Sequence, residues 1–258
     1  MISIVRAKIR ELSLSLRMVL LALGLSQSVV AQPISSVKLL DFKYGLQVPA
    51  GDLEKRFGGS NSLGIGLEVA SLKSKIFTGI SGHYFFGNTV KEDVLTNIRA
   101  EDGNIIGIDQ QLGDVHLKMR GFYTGAHIGK VFSTGKHEFT LTGIRAQVGV
   151  GLLQHKIRVQ DNFKTIVPLN KKYLPGYDRL TNGAALQLGL GYQYDDPINN
   201  WHVKIMSEMV MAQTKSRRDF DYATGGPLTG NRTDIMFGLQ LSYIVTISRK
   251  SEEEFIYY

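Results

Sequence analysis

From Leu40 to Val48 the chain reads LDFKYGLQV, and Leu40, Phe42, Tyr44, Leu46 and Val48 alternate without a break with Asp41, Lys43, Gly45 and Gln47. Period two is the period of a strand, whose successive side chains point to opposite faces. The same alternation returns along the chain in LGIGLEVAS (63–71), IFTGISGHYFFG (76–87), GFYTGAHIG (121–129), TLTGIRAQVGVGLL (140–153), GAALQLGLGYQY (183–194), WHVKIMSEMVMA (201–212) and DIMFGLQLSYIVTI (234–247), which makes eight strands in all. Most reach the roughly 9–11 residues that a membrane strand needs.

The spacing between strands is as informative as the strands. PAGDLEKRFGGSNS follows the first and the tight LKSK the second. Residues 88–120 follow the third, STGK the fourth, residues 156–182 the fifth, DDPINN the sixth and residues 215–234 the seventh. Long and short connections therefore alternate, so every long one falls at the same end of an up-and-down sheet. Outer-membrane barrels pair short periplasmic turns with long extracellular loops on an even number of strands. The pattern predicts an all-β, eight-stranded antiparallel up-and-down transmembrane β-barrel, with the apolar parity on lipid and the polar parity inside. A soluble lipocalin-like barrel also alternates. It would turn the polar parity to water, including the glycines of the G-x-G pairs, where solvent-facing strand glycines weaken a sheet for no gain. Within residues 88–120 the stretch KEDVLTNIRAEDGN is the least strand-like and has room for a short helix.

Composition and charge refine this picture. The 258 residues are 43% hydrophobic and carry a formal net charge of +7, which invites a nucleic-acid reading. Much of the charge lies at the start, where Arg6, Lys8, Arg10 and Arg17 stand against Glu11, ahead of the apolar MVLLALGL and the small residues Val29 and Ala31. That is the layout of a secretory signal. Its apolar core is too short to span a bilayer, which takes about 20 residues. Cleavage is expected after Ala31, dividing the chain into a signal peptide (1–31), the barrel (32–247) and a periplasmic tail (248–258). Without the signal the basic excess is modest, and no nucleic-acid partner is expected. The absence of cysteine excludes disulfides and thiolate metal sites.

Candidate chemistry falls in two places. Asp41, Glu68 and Glu208 share the inward parity with Lys43, Arg145 and Lys204. An eight-stranded barrel is just wide enough inside for side chains to fill it, so such charges must be paired and hydrogen-bonded. They form either a sealed interior charge network or the lining of a gated pore. His83, His127 and His202 lie on the same parity, but the chain contains no HExxH, G-x-S-x-G or P-loop motif. No catalytic residue, metal site or cofactor is expected. The second place is the loops. KIRVQDNFKTIVPLNKKYLPGYDRLTNG mixes bases with tyrosines and aliphatics, and KSRRDFDY follows the seventh strand. Arginine and tyrosine are common interface anchors, and arginine suits phosphate. Tyr177, Asp178, Arg179, Arg217, Arg218 and Asp219 are therefore candidate interaction residues, with local pairing of Arg179 to Asp178 or of Arg218 to Asp219 as the purely structural alternative.

The AQ cleavage site, the eight strands, GYDRLTNG (176–183), SRRDFDY (216–222) and the aromatic tail EFIYY together resemble the small outer-membrane β-barrel proteins of Bacteroidota. The resemblance covers the mature chain. It implies a non-enzymatic integral barrel in the bacterial outer membrane, acting as a structural or interaction subunit, since some small barrels of that lineage are accessory to secretion or barrel-assembly machines. The implied partners are outer-membrane lipid, lipopolysaccharide and other outer-membrane proteins. A narrow pore or transporter and a lipid-modifying outer-membrane enzyme are the alternative classes.

Overall fold

A computed structural model describes residues 36–249, apart from residue 109 and residues 134–139 and 197–200. The expected signal peptide (1–31) and tail residues 250–258 lie outside the described residues. Eight strands are described: β1 (Ser36–Gly51), β2 (Ser60–Ser71), β3 (Ile76–Gly87), β4 (Val115–Ser133), β5 (Gly143–Asp161), β6 (Thr181–Asp196), β7 (Trp201–Ser216) and β8 (Asn231–Arg249). Each pairs antiparallel with its sequence neighbour, and β1 pairs with β8 to close the barrel. The closing seam sets Leu40 opposite Val245, Gly45 opposite Gln240 and Val48 opposite Phe237, with a register shift between Lys38 and Leu39. Closure leaves no sheet edge, so every strand can satisfy its backbone groups without water.

The outward face is an apolar belt. Phe42, Tyr44, Leu46 and Val48 on β1 are exposed, as are Leu63, Ile65, Leu67 and Val69 on β2 and Phe237, Leu239, Leu241, Tyr243, Val245 and Ile247 on β8. At ~3.3 Å per residue and a tilt of about 40°, the run from Phe237 to Ile247 is roughly 25 Å tall, the height of a lipid-facing band. Aromatic side chains mark both rims. Tyr84 and Phe122 are exposed toward the long connections, and Phe132, Tyr192 and Tyr194 toward the short ones. The side chain of Trp201 lies outside the described residues.

The inward face has three levels. At the short-turn end Val37, Leu39, Ala70, Leu72, Phe77, Val131, Leu141 and Ile244 form a small apolar core. The middle is polar, with Asp41, Lys43, Glu68, His83, His127, Arg145, Lys204 and Glu208 all buried. At the long-loop end a larger apolar core joins strand residues such as Met119, Leu153, Ile157 and Met236 to residues of the long connections such as Leu53, Phe57, Val94, Leu95, Ile105 and Ile166.

Three features depart from the sequence expectation. β4 and β5 are 19 residues each, and residues 115–120 and 156–161, expected in connections, are strand. Above the belt the outward positions turn polar, at Lys118, Arg120, Lys156 and Arg158, while Met119, His155 and Ile157 remain buried. The apolar residues thus change faces where the barrel leaves the lipid, and a search for one continuous alternation stops at that switch. The second departure is α1 (Asp52–Arg56), which buries Leu53 and Arg56 in the mouth of the barrel. Only a 3-10 turn, Thr96–Ile98, forms in KEDVLTNIRAEDGN.

Strand glycines make room inside. A side chain at Gly129 would run into the Phe77 ring and the Ala146 carbonyl, and one at Gly238 would run into the Gln47 amide. Neighbouring strands therefore lay large side chains flat across glycine positions in a lumen too narrow to hold them otherwise. Gly129→Leu is expected to destabilise the barrel by about 1–3 kcal/mol or more through overpacking. The check is the temperature at which the compact, detergent-resistant form is lost on gel electrophoresis; an unchanged temperature would contradict the packing described.

Candidate functional site: a filled lumen under a bonded loop cap

Four buried carboxylates organise the described lumen. Glu68 on β2 accepts from Arg145 Nη2 on β5 at 2.5 Å and from Lys204 Nζ on β7 at 3.1 Å, and lies 3.1 Å from His127 Nε2 on β4. Lys204 also donates to Asp41 Oδ2 on β1 at 2.5 Å. Arg145 donates to Gln193 Oε1 on β6 at 2.7 Å and stacks over the Phe77 ring of β3 at 3.4 Å. This one cluster ties together seven of the eight strands. Nearer the loops, Glu208 on β7 accepts from Gln187 at 2.7 Å, Gln240 at 2.8 Å and Gln147 at 3.2 Å, and Tyr123 donates to Gln187 at 3.2 Å. Above it Asp234 lies 2.8 Å from His155 Nε2 and accepts from Thr214 Oγ1 at 2.5 Å, while the Phe57 ring packs edge-on against His155 at 5.5 Å.

The long connections form a cap held by ion pairs. Arg179 makes two bonds to Asp221, at 2.9 and 3.2 Å, and also pairs with Glu92. Glu92 in turn accepts from Arg56 Nε on α1 at 2.8 Å, and Arg56 donates to Thr181 Oγ1 at 2.9 Å. Arg218 grips Asp178 with two bonds, at 2.7 and 2.5 Å. Tyr222 packs against Tyr173, Tyr177 and Phe220 with ring centroids 5.0–6.3 Å apart. Burial pushes the Arg56 guanidinium below its ordinary pKa, an effect that Glu92 opposes. The hydrogen bonds to Asp178 hold that of Arg218 above its ordinary value. α1 is fastened to β8, with the Asp52 carboxylate accepting from Thr233 N at 2.9 Å and the Asp52 carbonyl from Arg232 Nη2 at 2.7 Å. The bonds from Lys55 and from Thr233 N keep the Asp52 carboxyl below the usual carboxylate range.

The structure brings Asp41, Glu68, Arg145 and Lys204 into one network, and places Lys43 and Glu208 on the same buried wall. The loop candidates divide. Tyr177, Asp178 and Arg179 are buried within the cap. The local pairings considered from sequence are replaced by pairings across loops, Arg179 to Asp221 and Arg218 to Asp178, because residues adjacent in sequence point away from each other while the two connections pack face to face. Arg217 donates to Asn182 Oδ1 at 2.5 Å. Arg217, Arg218 and Asp219 line a small cleft of about 230 Å³ with Lys172, Phe220 and Tyr222. The histidines do not converge. His83 packs beside Phe85 and Tyr123, His127 bonds Glu68, and His202 lies 2.6 Å from Asp195 at the other rim. Sequence reasoning missed Asp234, His155, Glu92, Asp221 and Arg56. The first two were visible in principle, since their inward parity continues from Met236 and Leu153. The other three depend on how separate loops meet.

No protein-family model matches this sequence, and no curated protein matches it. Among solved structures, Neisserial surface protein A is 8% identical with a TM-score of 0.41, covering 81% of this chain and 97% of its own. The attachment invasion locus protein Ail of Yersinia pestis, in complex with the heparin analogue sucrose octasulfate, is 12% identical with a TM-score of 0.40, covering 82% and 99%. At these values the fold rests on the chain's own strand pairing.

Two outcomes are expected. Glu68→Gln leaves buried Arg145 and His127 without their carboxylate and should cost about 3–5 kcal/mol, whereas Lys130→Gln on the exposed face should stay within about 0.5 kcal/mol; urea unfolding in detergent measures both. Arg179→Ala should leave the strands intact but open the cap, so that limited trypsin digestion cuts at Arg217 and Arg218 in the variant much faster than in the wild type.

Proposed function

We propose that this chain is an integral outer-membrane β-barrel that acts as a structural and interaction subunit through its extracellular cap, rather than by conducting solutes. The observation that carries this is the filled lumen beneath an ordered cap. An apolar core lies at each end of the interior, with bonded polar layers between them. An aqueous path through it would have to break ion pairs that are wholly buried. The outer membrane as location is supported by the signal layout of residues 1–31, the closed antiparallel barrel and its apolar belt, since exported chains cross that membrane as closed barrels. His83 and His127 are enclosed at membrane depth and His202 is paired with Asp195, which favours a non-enzymatic role.

The cap offers apolar contacts of its own. Ile108 and Phe163 are exposed at 73% and 67%, and Ile106 and Leu112 face each other across a bridge at the tip of the β3–β4 connection. That tip is fixed to the β5–β6 connection by Ile108 N donating to Thr165 O at 3.0 Å. Exposed apolar side chains gathered on loops mark contact sites. With the likeness of GYDRLTNG and SRRDFDY to small Bacteroidota barrels, they support an accessory role in a larger outer-membrane secretion or assembly complex.

The test is affinity purification of the tagged full chain from a mild-detergent outer-membrane extract, beside an Ile108→Asp/Phe163→Asp variant. The expected result is a stoichiometric set of outer-membrane proteins with the wild type that is lost with the folded variant. A monomeric wild-type barrel, or identical partners for both forms, would overturn the subunit role.

A further inference from the structure

A large cleft lies outside the barrel. It occupies about 970 Å³ between the outward face of β3–β5 and the overhanging β5–β6 connection. Its wall starts at the aromatic rim, with Tyr84 and Phe122, and continues upward through Gln154, Arg120, Lys156 and Arg158. Lys164 and Lys171 reach it from the overhang, whose apolar side chains Ile166, Val167, Leu169 and Leu174 form the roof. Five basic side chains thus meet a single carboxylate, Asp161. That carboxylate is already engaged, accepting from the backbone N–H groups of Phe163, Lys164 and Ile166 at 2.9–3.2 Å.

Three features separate these bases from the other cations of the cap. Arg56, Arg179 and Arg218 each hold a carboxylate. The side chains of Lys156, Arg158, Lys164 and Lys171 make no hydrogen bond or ion pair among the described residues. Cross-strand register also sets Arg120 directly opposite Lys156 and Lys118 directly opposite Arg158. Like charges in directly opposed positions are destabilising, so two stacked pairs of this kind carry a cost that an anion between them would remove. The height of the ladder is the third feature. It begins one outward position above Phe122 on β4 and two above Leu152 on β5, the last apolar outward residues of their strands. A lipid beside the belt carries its headgroup at that level.

We propose that this cleft is a binding site for a phosphorylated lipid of the outer leaflet. Arg120, Lys156 and Arg158 receive the phosphate, Lys164 and Lys171 close over it from the overhang, and the acyl chains lie along Phe122, Leu152 and Tyr84. Arginine presents paired donors suited to phosphate oxygens, and lysine adds point charge. The site deepens the outer-membrane assignment made above and depends on it.

The test uses the full chain purified in detergent and native mass spectrometry. The probes are a bisphosphorylated glucosamine lipid, the same lipid without phosphates, and inorganic phosphate. The wild type should retain the phosphorylated lipid at one per chain, bind the dephosphorylated lipid at least tenfold more weakly, and bind inorganic phosphate no better than the variant does. Arg120→Gln/Arg158→Gln should weaken retention of the phosphorylated lipid at least tenfold, while Lys130→Gln, a base near the opposite rim, should leave it unchanged. Equal retention of the two lipids, equal retention by wild type and double variant, or tight binding of inorganic phosphate alone would overturn the site while leaving the membrane barrel standing. Recovery of the chain outside the membrane fraction would remove both.

Discussion

Closing eight strands on themselves creates the constraint that governs this molecule. The ring is too narrow for a water-filled channel, yet its inward positions carry charge. A charge taken out of water without a partner is far costlier than the barrel's stability could bear. Glu68 resolves this by drawing Arg145, Lys204 and His127 from three other strands onto one carboxylate. Asp41 and Gln193 take up further donors of the same cations. The bonds to Glu68 and Asp41 cross the lumen rather than following a strand, so they fix the spacing of strands that share no backbone hydrogen bonds. Glycine at positions such as 129 and 238 belongs to the same solution, since it gives up side-chain volume where a neighbour's ring or amide must lie.

The two ends of the barrel obey a different rule from its middle. Within the belt the apolar residues point out and the polar ones in. At the short-turn end Val37, Leu39 and Val131 point in, and at the long-loop end Met119, Leu153 and Ile157 do so. Where the surroundings are water, the strands bury apolar side chains as a soluble barrel would. Where the surroundings are lipid, the apolar set moves outside and the interior is left to polar groups. The cap then rests on a hydrophobic core of its own.

Charge is used in two ways above the belt. Inside the cap, arginines are matched to carboxylates from other loops, and the connections are fixed relative to one another. On the outer wall, bases are stacked against bases with the nearby carboxylate committed to its own loop. The first arrangement supplies rigidity, and the second leaves an uncompensated positive field beside the membrane surface.

Much of this was legible in the residues. The alternation in LDFKYGLQV and its counterparts is a local property, because side-chain direction in a strand depends only on parity. The number of strands follows from it, and, with the alternation of long and short connections, so do their membrane-facing parity, the antiparallel meander and the inward placement of Asp41, Lys43, Glu68, Arg145, Lys204 and Glu208. Pairing does not. Which cation meets which carboxylate depends on register and on distances across the lumen, and the sequence separation between Lys204 and Asp41, 163 residues, carries no trace of their contact. The extension of β4 and β5 beyond the lipid was masked by the switch of the apolar face. The ties of Arg179 to Asp221 and of Arg218 to Asp178 required the loops to be folded against each other. The sequence by itself determined the periodic elements and the environment each face must meet, since both are set by chemistry within a few residues. The tertiary structure alone decided the partners, because burial makes every charge seek the nearest opposite charge in space rather than along the chain.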